Sequence, residues 1–275
     1  MNSEARKKLL DDCFTTANTA ARQSGALLKE NFDAEKEINF KGRIDVVTNV
    51  DVASEKIIMD LIAERHSGHE FITEETDTDL SGAPYRWIID PLDGTVNYAH
   101  SYPFCCVSIA FELDGVIELG VVYDPIYEQF FTARRGEGAF YNDRPIRVSG
   151  IDSIERSLLA TGFPYDIREN PFNNLLHFSH MATRAQAIRR DGSAALNLCY
   201  TAMGRFEGYW ELTISPWDIA AGVLIVEEAG GRVSCLDGGK HSVYDRQVVA
   251  TNGLIHDELV ACIQDVNREH YPDRV

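Results

Sequence analysis

The 275-residue chain is short of basic residues and lacks any long apolar run. It carries 26 lysines and arginines against 43 aspartates and glutamates, which gives a net charge of −17. A negative surplus of this size disfavours nucleic-acid backbones and anionic membranes as principal partners. No stretch is apolar over the roughly 18 residues that a membrane-spanning helix needs, and the polar N-terminus is unlike a signal peptide. We therefore expect a cytoplasmic protein that binds neither nucleic acid nor membrane.

The sequence also lacks a Cys-x-x-Cys pair, internal repeats, low-complexity tracts and flexible linkers. Its six cysteines are scattered, so we expect reduced thiols. A chain of this length buries a substantial core, either as one large domain or as two closely packed halves. The pattern changes near residue 146, which predicts an N-terminal half over 1–145 and a C-terminal half over 146–275 within one compact unit.

Two acids stand close together in the segment from Trp87 to Asn97, which reads WIIDPLDGTVN. The apolar run predicts a buried strand that ends at Asp90, because proline lacks an N–H and forces the preceding residue into an extended conformation. Asp90 and Asp93 then lie at the mouth of that strand. Two carboxylates so close repel each other unless a cation lies between them, and oxygen ligands of this type suit Mg²⁺.

Gly94 and Thr95 follow these acids and offer backbone N–H groups to an anion, to which Thr95 adds a hydroxyl. A metal beside a phosphate is one interpretation of the segment. An ordinary turn is the other, since aspartate, proline and glycine all favour turns. Phosphatases with an aspartate nucleophile carry Asp-x-Asp-Gly-Thr, with one residue between the acids. Two residues intervene here, which makes Asp90 a poor candidate for a phosphoenzyme.

The rest of the sequence predicts a mixed α/β fold. Periodic apolar residues indicate a long helix over 3–32 and a second helix over 51–65. Short apolar runs separated by turn signals predict an antiparallel meander over 104–141. Strands and helices then alternate up to a closing helix over 254–266.

Three further acids occur where elements begin or end. Glu74 follows a short strand sixteen residues before Asp90, so two strands that end side by side would bring both acids together. Asp51 lies in the first turn of the second helix, and Asp218 lies three residues after Ser215, at the start of a nearly all-apolar helix. N-terminal capping is an alternative for both aspartates, and acids in loops are usually solvated. A buried acid, however, needs a partner, which a cation would supply.

Three separate motifs resemble the signatures of the inositol monophosphatase family: Glu74-Glu75, the segment from Trp87 to Asn97, and the stretch from Pro216 to Gly231. The likeness covers nearly the whole chain, including DVVTNVD at 45–51 and the loop and helix that begin at Ala187. The resemblance implies a layered αβαβα sandwich, usually a homodimer. It also implies hydrolysis of small phosphate monoesters with two or three Mg²⁺ ions per active site, and inhibition by lithium. A short loop between Glu75 and Trp87 departs from the family pattern.

The resemblance further implies roles for individual residues. The metal ligands would be Glu74, Asp90, the Leu92 carbonyl, Asp93 and Asp218. The catalytic residues would be Asp51 and Thr95, which orient the attacking water, together with Glu74. The substrate-binding residues would be Asp93, Gly94, Thr95, Gly192, Ser193, Ala194, Glu211 and Asp218. Lys41 would lie on a mobile loop that closes over the site.

The chemistry of the residues favours direct attack by water. Hydrolysis of a phosphate monoester is very slow without a catalyst, and metal ions both lower the pKa of a bound water and neutralise the departing alkoxide. No cysteine, serine or histidine lies where a covalent nucleophile would be expected. The eight histidines are scattered and are expected at the surface.

An inositol-1-phosphate phosphatase is the first functional hypothesis, because the carboxylate of Glu211 can accept hydrogen bonds from ring hydroxyls. The same site would also suit fructose 1,6-bisphosphate, histidinol phosphate or adenosine 3′,5′-bisphosphate. A second phosphate would need a basic anchor, and the candidates are Arg168, Arg184, Arg189 and Arg190. A third hypothesis is a non-catalytic regulatory binding protein, although none of the motif acids is missing.

Overall fold

Helices pack against two β-sheets in the computed structural model, which describes residues 2–35, 38–40, 46–76 and 82–272. The helices are α1 (Ser3–Glu30), α2 (Asn49–Arg65), α3 (Thr95–Ala99), α4 (Leu175–Ala182), α5 (Ala194–Ala202), α6 (Pro216–Glu228) and α7 (His256–His270). The strands of the N-terminal part are β1 (Ile38–Phe40), β2 (Val46–Thr48), β3 (Glu70–Thr73), β4 (Tyr85–Asp93), β5 (Cys106–Leu113), β6 (Val116–Asp124), β7 (Gln129–Arg134), β8 (Gly138–Tyr141) and β9 (Arg144–Pro145). The later strands are β10 (Leu158–Thr161), β11 (Ala187–Arg189), β12 (Gly208–Glu211), β13 (Arg232–Ser234) and β14 (Val248–Thr251).

The larger sheet has seven strands in the order β3-β4-β5-β6-β7-β8-β9. Strands β3 and β4 are parallel, and every later pair is antiparallel, which confirms the predicted meander. The second sheet has the order β11-β10-β12-β14-β13 and mixes parallel with antiparallel pairs. Strands β1 and β2 form a separate antiparallel pair.

The apolar side chains divide the molecule into five layers. Because successive strand residues point to opposite faces, Trp87 and Ile89 of β4 pack on α1 and α2, whereas Ile88 packs toward α5 and α6. These two helices also cover one face of the five-stranded sheet. Helices α4 and α7 cover its other face through Met181 and Leu259. The order helix, sheet, helix, sheet, helix confirms the predicted αβαβα sandwich.

Helix α6 lies unusually close to the seven-stranded sheet. A Cβ atom built on Gly120 of β6 would come within 2.8 Å of the carbonyl oxygen of Ala221. Glycine therefore allows the helix backbone to approach the strand, and this approach sets the position of the N-terminal end of α6. The predicted boundary at 145/146 stays a prediction: the seven-stranded sheet ends at Pro145, yet α6 from the second half packs on it.

Two expectations about this architecture were wrong. The histidines are not confined to the surface, since His177 and His256 are fully buried. The sequence also predicts a helix over 170–184, but α4 covers only Leu175–Ala182, because Asn174 adopts a left-handed conformation and uses its side chain to bind Thr161 and Gly162. All six cysteines are unpaired thiols. Within the described residues, none of the helices has the combination of length and apolar character that crossing a membrane requires.

We predict that His256 makes the folded protein sensitive to acid. Its ring nitrogens contact Thr251 Oγ1 and Ser234 Oγ at 2.9 Å each. Burial, followed by the charge of Arg232, lowers the pKa of His256 from 6.5 to about 4. Between these two pH values the unfolded chain binds a proton that the folded chain excludes. The free energy of unfolding therefore falls as the pH drops from 6.5 to 4, by roughly 3 kcal/mol from this group.

Urea unfolding at pH 7 and pH 4.5 measures this contribution. The variant His256→Asn cannot take up the proton, so its stability should depend less steeply on pH than that of the wild type. Equal losses of stability in the two proteins over this range would contradict the assignment.

Candidate active site

A β-bulge places Asp90 and Asp93 on the same face of the seven-stranded sheet. Asp90 pairs with Ser108 and Asp93 pairs with Cys106, so Pro91 and Leu92 lie opposite the single residue Val107. Residues three apart on a regular strand point to opposite faces, and the extra residue of the bulge restores the same face. The expectation that the strand ends at Asp90 was wrong, since β4 continues to Asp93. Proline has no N–H to donate, and it is tolerated here because the sheet's hydrogen-bond ladder is already interrupted at the bulge.

The parallel register of β3 and β4 brings Glu74 beside Asp90. The register pairs Thr73 with Ile89, so the next residue of each strand is one of the two acids. This arrangement is the one expected from two neighbouring strands that each end in an acid.

Asp218 approaches the same place from α6. Its Oδ2 accepts a hydrogen bond from the backbone N–H of Ser215 at 2.8 Å, which completes a capping box. One ligand oxygen from each of Asp90, Asp93 and Asp218 lies within 4.8 Å of the others. Asp218 therefore caps α6, as one interpretation had it, and lies beside the other acids, while its role as a metal ligand stays a prediction. A cavity of about 220 Å³ opens at this cluster and is also lined by Glu74, the fourth acid of the group.

Burial and mutual repulsion make these carboxylates hard to ionise. Burial, followed by the charges of Glu74, Asp93 and Asp218, raises the pKa of Asp90 well above its usual range. Burial, followed by the charges of Asp93 and Glu74, does the same for Asp218. Burial raises the pKa of Asp93 to about 6, even though hydrogen bonds to its carboxylate lower it.

These residues fit a hard divalent cation. The donors are all oxygen atoms, and two oxygens that share an octahedral Mg²⁺ at about 2.1 Å lie about 2.9–4.2 Å apart, comparable with the spacing of the three aspartates. A cation would also compensate several like charges that the apolar layers around them cannot. We call the four acids Glu74, Asp90, Asp93 and Asp218 the acid cage.

One side of the Asp93 carboxylate faces helix α5. Its Oδ2 accepts hydrogen bonds from Ser193 Oγ at 2.6 Å and from the backbone N–H of Ala195 at 2.7 Å. Ser193 is the N-cap of α5, so the carboxylate lies at the positive end of that helix. These bonds join residues a hundred positions apart and connect the two sheets at the site.

Asp51 and Thr95 form a buried pair next to the cage. Thr95 Oγ1 lies 3.1 Å from Asp51 Oδ1 and 2.9 Å from the Leu92 carbonyl oxygen, and its single proton can be donated to either acceptor. Asp51 Oδ2 accepts from the backbone N–H of Thr48 at 2.9 Å and from its hydroxyl at 2.5 Å. Asp51 thus caps α2, as one interpretation had it, and also orients Thr95. Burial raises the pKa of Asp51, and this effect is larger than the opposing effect of its hydrogen bonds.

A second cavity of about 310 Å³ continues from the acid cage toward β12. Its lining includes the predicted substrate-binding residues Asp93, Gly94, Thr95, Gly192, Ser193, Ala194, Glu211 and Asp218. Glu211 accepts a hydrogen bond from the Tyr209 hydroxyl, and burial raises its pKa to about 7. A Cβ atom at Gly162 would lie 2.1 Å from Glu211 Oε2, so a larger residue there would force this carboxylate to move.

The sequence-based list of basic anchors was only partly right. Arg190 lines the larger cavity, whereas Arg168, Arg184 and Arg189 do not. Arg246, which was not anticipated, lines it as well. Lys41 lies outside the described residues, so its predicted place on a mobile loop stays a prediction.

A second group of ligand-type side chains, Cys13, His66 and His69, is part of the core. Trp87 donates its indole N–H to Nδ1 of His69 at 3.0 Å, which leaves the ring's own proton on Nε2 and neither nitrogen free for a metal. Thr16 Oγ1 contacts Nε2 of His66 at 2.9 Å. Burial, followed by the charge of Asp12, raises the pKa of the Cys13 thiol to about 12, so it stays protonated.

The layered fold and the buried acid cage define a class: mixed α/β proteins with a cleft that could hold metal ions. Comparison with known proteins identifies the family within this class. The model of the inositol monophosphatase family matches residues 9–268. An inositol-1-monophosphatase of Synechocystis sp. is 43% identical over 88% of this chain and 85% of its own length. Nus factor SuhB of Escherichia coli is 40% identical over 90% of this chain and 93% of its own.

Solved structures agree with the sequence comparison. The inositol monophosphatase from Anabaena (Nostoc) sp. superposes with a TM-score of 0.85 at 41% identity, over 95% of this chain and 97% of that one. A Thermotoga maritima IMPase gives 0.86 at 34% identity, over 94% of this chain and 99% of that one. The chain belongs to the inositol monophosphatase family.

We predict that neutralising one acid of the cage stabilises the metal-free protein. In Asp90→Asn, the amide oxygen can keep the bond that Asp90 Oδ1 accepts from the Leu92 N–H at 2.9 Å, while one buried like charge disappears. Thermal unfolding in EDTA should therefore shift upward by several degrees relative to the wild type. Added Mg²⁺ should raise the unfolding temperature of the wild type but not of the variant. A variant that is less stable in EDTA, or that still responds to Mg²⁺, would contradict the proposed role of the cage.

Proposed function

We propose that the protein is a Mg²⁺-dependent phosphate monoesterase and that its substrate is an inositol monophosphate. The observation that carries the proposal is the convergence of four acids from three chain segments on one cleft, which continues into a cavity that ends at Glu211. Membership of the inositol monophosphatase family supports the same chemistry.

In this proposal the acid cage and the Leu92 carbonyl hold two or three Mg²⁺ ions. When bound, Mg²⁺ supplies charge neutralisation for the phosphate and for the departing alkoxide, and it makes a coordinated water more acidic. The cage residues are held in place by three local features: the bulge fixes Asp90 and Asp93, the end of β3 fixes Glu74, and the helix cap fixes Asp218.

Asp51 and Thr95 orient the attacking water. The Thr95 oxygen can accept a hydrogen bond from a water in the cleft while its own proton is donated to Asp51 Oδ1. Asp51 is held by two bonds from Thr48, so it is a fixed acceptor for the proton that leaves the water. Glu74, which lines the same cavity as Thr95, assists them.

The phosphate and the alcohol occupy different parts of the cleft. The backbone N–H groups of Gly94 and Thr95 contact the phosphate, at a turn that Gly94 permits with its φ of 92°. The alcohol lies against Asp93, Asp218 and Glu211 and against the loop Gly192, Ser193 and Ala194. Because its pKa is about 7, Glu211 can both donate to and accept from hydroxyl groups at neutral pH.

A small polyol fits this cavity better than a nucleotide. The volume of the cavity, about 310 Å³, is at the lower end of the roughly 300–1,000 Å³ that small-molecule sites span. A substrate with a second phosphate is the alternative, and the presence of Arg190 and Arg246 in the lining favours it. Retention of every cage acid argues against a purely regulatory protein, the third hypothesis. A homodimeric state, a cytoplasmic location and inhibition by lithium stay predictions.

We predict that phosphate release depends on Mg²⁺ and is fastest with inositol 1-phosphate. Parallel assays should use inositol 1-phosphate, fructose 1,6-bisphosphate and adenosine 3′,5′-bisphosphate, each in EDTA and in Mg²⁺. EDTA should silence the enzyme with every substrate, and Mg²⁺ should restore activity. Cleavage of the nucleotide alone would overturn the polyol assignment, and full activity in EDTA would overturn the metal-dependent one.

We predict that Asp93→Asn lowers kcat by at least about 100-fold, beyond the usual effect of losing a residue that merely supports a ligand. The amide oxygen can still accept from Ser193 and Ala195, so the fold should persist, while the NH₂ group faces the cage where a ligand oxygen is required. Asp124→Asn is a matched control: Asp124 is also fully buried and lies two strands away, about 10 Å. Near-normal activity of Asp93→Asn would show that this acid is not a ligand.

A further inference from the structure

One face of α2 contacts three separate parts of the site. Asp51, Ser54 and Glu55 are 0%, 0% and 2% exposed, and their spacing of three and four residues puts them on the same side of the helix. Asp51 bonds Thr95, as described above. The other two side chains belong to no motif in the sequence analysis.

Ser54 supports the bulge. Its hydroxyl donates to the carbonyl oxygen of Pro91 at 2.8 Å and contacts Ser24 Oγ of α1 at 2.6 Å. The hydroxyl thereby satisfies a buried carbonyl that faces away from the sheet's hydrogen-bond ladder at the bulge.

Glu55 holds the turn that follows Glu74. Its Oε2 accepts from the backbone N–H of Glu75 at 2.9 Å, and its Oε1 accepts from Thr76 Oγ1 at 2.5 Å. Thr73 Oγ1 donates to the Thr76 carbonyl at 2.9 Å and closes the same turn. Glu55 thus accepts one hydrogen bond from each of the two residues that follow Glu74. These bonds fix the direction in which the chain leaves β3.

Burying a carboxylate to hold a surface turn lowers the stability of the folded protein. Among the described residues, no lysine or arginine forms an ion pair with Glu55. A charge buried without a cation costs stability, unless several hydrogen bonds satisfy it. The two donors explain how the charge is tolerated, and the position of Glu74 explains what the arrangement achieves: metal ligands must be held to within about 0.5 Å.

We propose that Glu55 is a positioning residue that fixes Glu74 for metal binding by holding the backbone of Glu75 and the hydroxyl of Thr76. The proposal rests on the proposed function, because it assumes that the acid cage binds Mg²⁺. Glu55 itself touches neither metal nor substrate. Its loss should therefore weaken metal binding rather than remove a ligand.

The test is isothermal titration calorimetry with Mg²⁺ on the full chain. Glu55→Ala should raise the dissociation constant for Mg²⁺ by about 10- to 100-fold, the usual range for residues that orient a ligand. Glu55→Gln should stay within a few-fold of the wild type, because its amide can accept from the Glu75 N–H and donate to the Thr76 hydroxyl. Thr76→Val removes one of the two bonds and should have an intermediate effect. In the double variant with Glu55→Ala, it should add nothing further.

Glu70→Ala is the matched control. Glu70 is also a buried glutamate, and it accepts from the backbone N–H of Ala83 at 3.0 Å, at the far end of the same β3–β4 connection. It lies four strand residues, about 13 Å, from Glu74. This variant should lose stability without a change in Mg²⁺ affinity, which separates general loosening from positioning.

The outcomes separate the two proposals. If the wild type binds no Mg²⁺, the proposed function fails. If the wild type binds Mg²⁺ and Glu55→Ala binds it equally well, the positioning role fails. If Glu55→Ala does not fold, equal binding by Thr76→Val leads to the same conclusion. Equal weakening by Glu70→Ala would also overturn it. Unfolding temperatures in EDTA establish that each variant is folded at the temperature of the titration.

Discussion

The repulsion among buried carboxylates is the constraint on which this structure depends. Four acids share one cleft between two sheets, and three local features place them there: the bulge in β4, the end of β3 and the cap of α6. Burial raises the pKa of Asp90, Asp93 and Asp218 because the apolar layers cannot solvate their charges. The packing of α6 against Gly120, the capping box at Ser215 and the helix end at Ser193 all act against that repulsion.

Much of the fold could be predicted because its signals are local. The apolar period of α1, the turn residues between β5 and β8, and the caps of α6 each specify an element without knowledge of the rest. The meeting of Glu74 with Asp90 was also predictable, because two strands of equal character that end in acids place those acids together when the strands are parallel. The layered order followed from the family resemblance.

Other features depend on contacts that a sequence does not display. Proline after an apolar run usually ends a strand, and only the pairing with Cys106 and Ser108 shows that β4 continues through a bulge. Glu55 looks like a solvated residue of an amphipathic helix until the turn after β3 reaches it. His256 begins α7 and contacts Ser234 of β13 and Thr251 of β14, and its burial depends on the packing of the helix against these strands, which the sequence does not display.

The bulge also changes what the backbone of β4 can bind. In a regular strand, every carbonyl is committed to a neighbouring strand. Here two carbonyls are directed away from the ladder: that of Pro91 accepts from Ser54, and that of Leu92, a residue that lines the cleft, accepts from Thr95. A one-residue spacer would also keep both acids on one face, but it would return these carbonyls to the ladder. Under the proposed function, the two-residue spacing aligns the acids and also offers the Leu92 carbonyl as a neutral oxygen ligand, which would add coordination without adding charge.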